Sequence, residues 1–229
     1  FLKKYLKKQK KTKLMEPIRY GLLPGGKKIR VKILVDIGKI LLVPYRHLIR
    51  IGAAIECIHA YSLIHDDLPC MDDDDLRRGK LTVHKKYGES TAVLAGNSLL
   101  TMAFEIISEK TFLISDIKKN QLVYILAASS GHSGIAGGQF QDLSFERKKI
   151  GKSKILEMQL NKTGKLFMFS ALAPVILSNK KNMFKKFSNL GLEIGSLFQI
   201  IDDLLDFKGN AKKLGKKIHK DKSCLLYTS

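Results

Sequence analysis

The apolar residues Ile51, Ala54, Ile58, Tyr61 and Ile64 recur at intervals of three and four, the spacing of one face of a helix. This predicts a helix over 47–67. Pro69 disfavours helical backbone in the residue before it, so that helix should end near Asp67 and let Asp72 return across a turn. A helix reaching about Leu42 is expected before it, with Pro44 interrupting. Further helices are expected over 90–108, 116–131, 133–147, 153–170, 171–179 and 182–208, followed by a broken remainder. Pro174 should mark a kink or a boundary, and Gly191 and Gly195 should disturb the last long helix. Residues 1–13, opening Phe-Leu-Lys-Lys-Tyr-Leu, read as a basic helix remnant or a membrane-grazing face, the remnant preferred. The sequence shows no alternating strand series, no glycine-rich phosphate loop after a strand and no internal repeat. The fold class expected is therefore all-α.

Two aspartate-rich clusters bracket the middle of this helical pattern. The first is Asp66-Asp67-Leu-Pro-Cys-Met-Asp72-Asp73-Asp74-Asp75, followed by Leu-Arg77-Arg78-Gly, and the second is Gln199-Ile-Ile-Asp202-Asp203-Leu-Leu-Asp206. Offsets of three and four put Gln199, Asp202 and Asp206 on one helix face. Carboxylates this close repel one another unless a cation offsets them. They are hard oxygen ligands suited to Mg²⁺, and the neighbouring arginines suit phosphate or diphosphate oxygens. One aspartate cluster near a helix end is ordinarily a cap or a solvated surface. Two, each with arginine or glutamine beside it, favour a metal and diphosphate site.

Other segments fit such a site, each with a plainer reading. Gly25-Gly26-Lys27-Lys28-Ile-Arg30 is a flexible backbone beside three cations, or a lysine-rich surface turn. Arg77 and Arg78 could face one chamber. Lys162-Thr163-Gly164 adds a cation and a hydroxyl, or is a polar helix position with a local backbone bond. Gln139 and Asp142 could line a cavity or solvate a helix. His59 could donate to a phosphate oxygen or be a packed histidine.

With 229 residues, 45% of them apolar, the chain suits one sizeable domain. Its formal charge of +20 raises nucleic acid and anionic membrane as partners. No recognition element accompanies the charge and the lysines are scattered through every segment, so neither nucleic acid nor a stable membrane association is expected. Cys57, Cys70 and Cys224 form neither a metal spacing nor a disulfide framework. That suggests a reducing, cytoplasmic setting. No signal-peptide pattern and no transmembrane run of adequate length are read from the sequence.

Taken in order, Gly25-Gly-Lys-Lys-Ile-Arg30, the stretch from Glu56 to Gly79, Gly138-Gln-Phe-Gln-Asp-Leu143, Lys162-Thr-Gly164 and Phe198-Gln-Ile-Ile-Asp-Asp-Leu-Leu-Asp206 resemble the trans-isoprenyl diphosphate synthases, most of all the bacterial farnesyl diphosphate synthases. The likeness runs through roughly residues 18–222. It implies a helical bundle around a deep central cavity, a homodimer, and Mg²⁺ cofactors, about three ions in the closed complex. It implies Asp66, Asp72 and Asp202 as metal ligands, supported by Asp67, Asp203 and Asp206. It assigns Arg77, Lys162, Thr163, Gln199 and Lys216 to an allylic diphosphate, and Lys27, Arg30, His59 and Arg78 to isopentenyl diphosphate. Tyr61, five residues before Asp66, would be the floor that stops the product at fifteen carbons. The activity implied is condensation of isopentenyl diphosphate with dimethylallyl and then geranyl diphosphate. A longer-chain synthase and a noncatalytic binding or partner subunit are the alternatives, while Asp202-Asp203-Leu-Leu-Asp206 argues against a terpene cyclase.

The chain departs from the family pattern in three places. It opens on Phe1, and the family continues with further helices, so residues 1–229 are expected to form one polyprenyl synthase domain that is incomplete at its C-terminus, with a cut at the N-terminus left open. Gly215 to Lys222 begins like a lysine-rich lid, but Ser-Cys-Leu-Leu-Tyr-Thr-Ser lacks the later lysine expected near position 226. Asn97 stands where the family more often has aspartate.

Overall fold

The computed structural model of the chain describes residues 1–23, 25–146 and 148–208, the final three as backbone only. In chain order the helices are α1 (Leu2–Lys8), α2 (Met15–Leu22), α3 (Ile29–Ile40) and α4 (Tyr45–Asp66). A hairpin of β1 (Leu76–Arg77) and β2 (Lys80–Leu81) leads into α5 (Val83–Tyr87), α6 (Glu89–Ser108), α7 (Asp116–Ser130) and α8 (Ile135–Phe145). Then come α9 (Lys152–Gln159), a π turn (Leu160–Gly164), α10 (Lys165–Ser178), a 3₁₀ turn (Lys181–Met183) and α11 (Phe184–Lys208). The fold is an all-α bundle, and the one sheet among the described residues is this two-stranded hairpin, with Leu76 opposite Leu81 and Arg77 opposite Lys80. It follows directly on the acidic loop, where Arg78 and Gly79 both adopt positive φ, the turn geometry that brings two short strands back on each other.

A helix that is apolar on most of its circumference belongs inside a bundle. α4 fits that rule: Leu48, Ile51, Ala54, Ile55, Cys57 and Ile58 are all fully buried. It packs along α6, with α2 and α3 on other sides. α10 is the second inner helix, buried from Leu166 to Leu177 except at Met168 and packed on α11, α3 and α7. The first acidic cluster begins at the end of α4, and the second lies on α11, which packs against α10.

Several boundaries differ from the periodicity reading. The expected break between residues 170 and 171 is absent, and Pro174 lies inside α10. Proline there removes the backbone bond to the Ser170 carbonyl, yet Ser170 Oγ donates to Leu166 O at 2.9 Å and burial of Phe169, Leu172, Ala173 and Val175 carries the helix through. The interruption falls earlier, at the π turn. α6 is long and apolar enough to cross a membrane by length and composition, contrary to the sequence reading, but Ala92, Ala95, Leu99, Ala103 and Ile106 are fully buried in the bundle. At the N-terminus, α1 buries Tyr5 and Leu6 in the core, and Arg50 lies over the Phe1 ring while its Nη1 donates to Glu109 at 2.7 Å. Tyr5 and Leu6 of that apolar face are thus occupied by packing within the chain.

Gly191 and Gly195 do not break α11. A Cβ on Gly191 would lie 2.5 Å from Met168 Cα, and one on Gly195 2.6 Å from Gly164 Cα. Both are contacts with backbone, so α11 can approach α10 and the π turn this closely only through glycine. Gly195→Ala should therefore destabilise the protein by about 1–3 kcal/mol in urea unfolding despite its better helix propensity. The exposed Gly151, with no atom within 4 Å of its Cβ position, should take alanine without loss; equal effects at the two sites would contradict this packing.

Candidate active site

The first acidic cluster is shaped by the end of α4. Its last carbonyls are answered by the loop that follows: Asp72 N donates to Asp66 O at 2.9 Å, Asp73 N to Leu68 O at 3.1 Å and Asp74 N to Asp67 O at 3.2 Å. Asp73 takes φ +47, a left-handed conformation that aspartate tolerates better than most residues. The turn expected from Pro69 is thus present, and it returns Asp72 to Asp66. Asp67 and Asp74 are buried. Arg77 holds them, with Nε donating to Asp67 Oδ1 at 2.7 Å and Nη2 to Asp74 Oδ2 at 3.5 Å.

The second cluster is held by amides and by the π turn. Thr163 Oγ1 donates to Gln199 Oε1 at 2.9 Å, and Gln199 Nε2 donates to Asp203 Oδ1 at 2.7 Å. Gln159 Nε2, at the end of α9, reaches the other oxygen of Asp203 at 3.3 Å. Gln199 is therefore tied to Asp203, whereas the helical offsets had grouped it with Asp202 and Asp206. The Asp206 side chain and Lys216 lie outside the described residues. On the π turn, Lys162 Nζ donates to Asp142 Oδ2 of α8. α8 approaches so closely that a Cβ on Gly138 would be 2.2 Å from Lys162 N. π turns inside helices often occur at functional sites because they re-aim side chains; this one presents Lys162 to α8 and the first cluster while Thr163 reaches α11.

Cations gather on the other side of the hairpin. Lys28, in left-handed conformation at the start of α3, pairs with the buried Glu56. Arg78 Nη1 donates to Gly25 O at 3.0 Å. Arg77, the last residue of β1, goes to the acidic loop, while Arg78, in the left-handed turn that follows, goes to the Gly25–Gly26 segment; both border a cleft with Ala60, Leu63 and Asp67. Lys27 is exposed. Arg30 stacks on Phe167 with its guanidinium carbon 4.5 Å from the ring centroid. His59 is held well below the usual imidazole range, first by burial and then by Arg30, Arg78, Lys28 and Arg77. It is neutral at physiological pH.

Burial pushes the Asp66 carboxyl up to about 7; Lys162 and Arg77 lower it, and Asp72 and Asp67 raise it further. Asp67 is raised from the same chief cause, opposed by Arg77. Burial disfavours the Lys162 ammonium, but Asp142, Asp66 and Asp72 more than offset it and hold it above the ordinary lysine value. Among the described residues no three carboxylates or other donors already form a metal cage. Mg²⁺ is commonly held by one or two carboxylates plus phosphate oxygens. A crowded pair such as Asp66 and Asp72, with one carboxyl pushed up to about 7, suits that mode.

Tyr61 is buried one turn before Asp66, where its hydroxyl donates to Ser130 O at 3.2 Å and its ring meets His65 edge-on at 5.7 Å. Several participants escaped the sequence reading. Glu56 and Asp74 lie inside the quoted motifs and were readable as partners of nearby cations. Asp142 reads from sequence as a cavity or surface residue, and the structure gives it Lys162 as its partner. Gln159, Phe167 and the role of Phe198 carried no motif signal, because their contacts depend on how α9, α10 and α11 assemble.

The chain matches the polyprenyl synthetase family model over residues 11–228. It is 40% identical over 210 residues to the farnesyl diphosphate synthase of Bacillus subtilis, covering 91% of this chain and 71% of that protein. It is likewise 40% identical over 219 residues to geranylgeranyl pyrophosphate synthase 4 of Arabidopsis thaliana, covering 91% and 58%. Among solved structures, the Helicobacter pylori geranyltransferase complexed with magnesium and isoprenyl diphosphate aligns with a TM-score of 0.87 at 34% identity, covering 96% of this chain and 77% of that one. The chain belongs to the polyprenyl synthetases, as a trans-isoprenyl diphosphate synthase close to the bacterial farnesyl diphosphate synthase members.

The raised Asp66 carboxyl has a thermodynamic sign. In metal-free protein the folded state keeps a proton that the unfolded chain has already released, so this group's contribution is fully present below about pH 4 and is lost as pH rises through 7. In chelator, the unfolding free energy of Asp66→Asn minus that of wild type should therefore grow between about pH 4 and 7 and then level off. A pH-independent difference would contradict the burial of this carboxyl.

Proposed function

We propose that this chain is an Mg²⁺-dependent prenyltransferase that condenses isopentenyl diphosphate with dimethylallyl and then geranyl diphosphate, releasing diphosphate at each step and ending at farnesyl diphosphate. One observation carries the reading. Lys162 lies in the field of Asp66 and Asp72, and its neighbour Thr163 is hydrogen-bonded to Gln199 of the second cluster, so one π turn links both acidic motifs. The roles follow from the chemistry of each group. Asp66, Asp72 and Asp202 would hold the ions, with Asp67, Asp203 and Asp206 in support. When bound, Mg²⁺ would supply positive charge to the oxygens of the departing diphosphate.

The chain's own residues supply the rest. Arg77, Lys162, Thr163 and Gln199 offer donors to the allylic diphosphate, so charge that develops as the carbon–oxygen bond breaks meets groups already in place; Lys216 is assigned to the same diphosphate by the family resemblance. Lys27, Arg30, Arg78 and neutral His59 hold isopentenyl diphosphate. Its double bond attacks the allylic cation, and loss of a proton gives a product five carbons longer. The released diphosphate can take that proton, so no side chain is assigned as base. Apolar walls must keep water from the cation. A single domain, homodimeric assembly and a cytoplasmic setting belong to the same proposal.

The test is product formation by the purified chain from isopentenyl and geranyl diphosphates with Mg²⁺. Farnesyl diphosphate should form, vanish with chelator, and fall by about 10²–10³ in kcat for Asp202→Ala. A folded chain that binds these diphosphates without turnover would indicate the noncatalytic alternative.

Product length is set apart from the chemistry. The equal identity to a farnesyl and a geranylgeranyl synthase leaves it to the pocket, and the buried, tethered ring of Tyr61 favours the shorter product. Tyr61→Ala should shift the products to twenty carbons or more, read by chromatography of the dephosphorylated alcohols. An unchanged distribution would remove Tyr61 from that role.

A further inference from the structure

Arg30 carries a charge that no described residue pairs. Its guanidinium makes no ion pair or hydrogen bond among the described residues, and Nε is buried without a partner. What holds it is aromatic: the guanidinium carbon lies 4.5 Å from the Phe167 ring centroid and 5.8 Å from that of Phe198. The two rings are 5.2 Å apart and inclined at 42°. Burial lowers Arg30 to about 10, against the opposing pull of Glu56 and Asp202, so it stays charged at neutral pH. The nearest acid on α4, Glu56, is engaged by Lys28.

A cation seated on ring faces keeps its N–H donors for an incoming anion, whereas a carboxylate partner would consume them. The rings come from the two helices that carry the allylic side of the site. Phe167 lies one turn beyond Thr163 on α10, and Phe198 precedes Gln199 and lies one turn before Asp202 on α11. We propose that Phe167 and Phe198 are positioning residues that seat Arg30 for the diphosphate of the isopentenyl substrate and tie that clamp to the helices bearing Thr163 and the second aspartate cluster. The assignment rests on the functional reading above.

The test replaces each ring by leucine, in Phe167→Leu and Phe198→Leu, with Phe198→Tyr as the variant that keeps the π face. The KM for isopentenyl diphosphate should rise about tenfold in the leucine variants, with the KM for geranyl diphosphate within about twofold of wild type. Phe198→Tyr should recover most of the loss. Equal rises in both KM values, no rise in either, or a tyrosine variant as impaired as the leucine one would overturn the proposal.

A second readout needs no turnover. In ¹H–¹⁵N spectra of arginine Nε–H groups, the Arg30 signal, assigned by its loss in Arg30→Lys, should be shifted upfield by the rings. It should move downfield in Phe167→Leu and respond to inorganic pyrophosphate. A signal indifferent to ring removal overturns the cradle even in an active enzyme, while a wild type that forms no product counts against the functional reading and leaves the spectra to decide the cradle.

Discussion

The half-buried ammonium of Lys162 sits among carboxylates from separate elements, and the arrangement of the site follows from keeping it there. Asp142 comes from α8, while Asp66 and Asp72 come from the end of α4 and the loop after it. A charge in such surroundings is tolerable only while its partners remain in place, because removing one leaves another uncompensated. The backbone is fitted to the same requirement. Gly138 on one side and Gly195 on the other let α8 and α11 close on the π turn at distances that a Cβ would forbid.

Around this pair the charges sort into two sides. The acidic side is self-contained, since Arg77 neutralises Asp67 and Asp74 while Gln159 and Gln199 hold Asp203. On the basic side Lys28 pairs with the buried Glu56, Arg30 rests on rings and His59 is held well below the usual imidazole range. Carboxylates suited to a metal thus face cations suited to an anion, the distribution that a metal-bound diphosphate and a second free diphosphate require. The hairpin separates the two arginines, with Arg77 at the end of β1 on the acidic loop and Arg78 in the left-handed turn reaching Gly25.

The helices and the acidic loop were legible because they are local. Three- and four-residue periodicity located α4, and Pro69 located its end and the return of Asp72. The two motif sequences marked the metal-binding candidates for the same reason. Features set by packing between helices were not legible. Pro174 and Gly191 each read as an interruption from propensity alone, yet burial carries α10 through the first and close approach to α10 gives the second its purpose. The π turn has no residue signature, since it arises from the need to aim Lys162 and Thr163 at different helices. Gln159 and the rings of Phe167 and Phe198 were missed because their partners lie far away in sequence.

The central claim is that the two acidic clusters act as one unit through a metal-bound diphosphate. Calorimetric binding of inorganic pyrophosphate with Mg²⁺ to wild type, Asp66→Asn, Asp202→Asn and the double variant measures this directly. Each single variant should lose most of the affinity and the double variant little more, a coupling of about 1–3 kcal/mol. Losses that add would mean that the clusters bind independently and would contradict the claim.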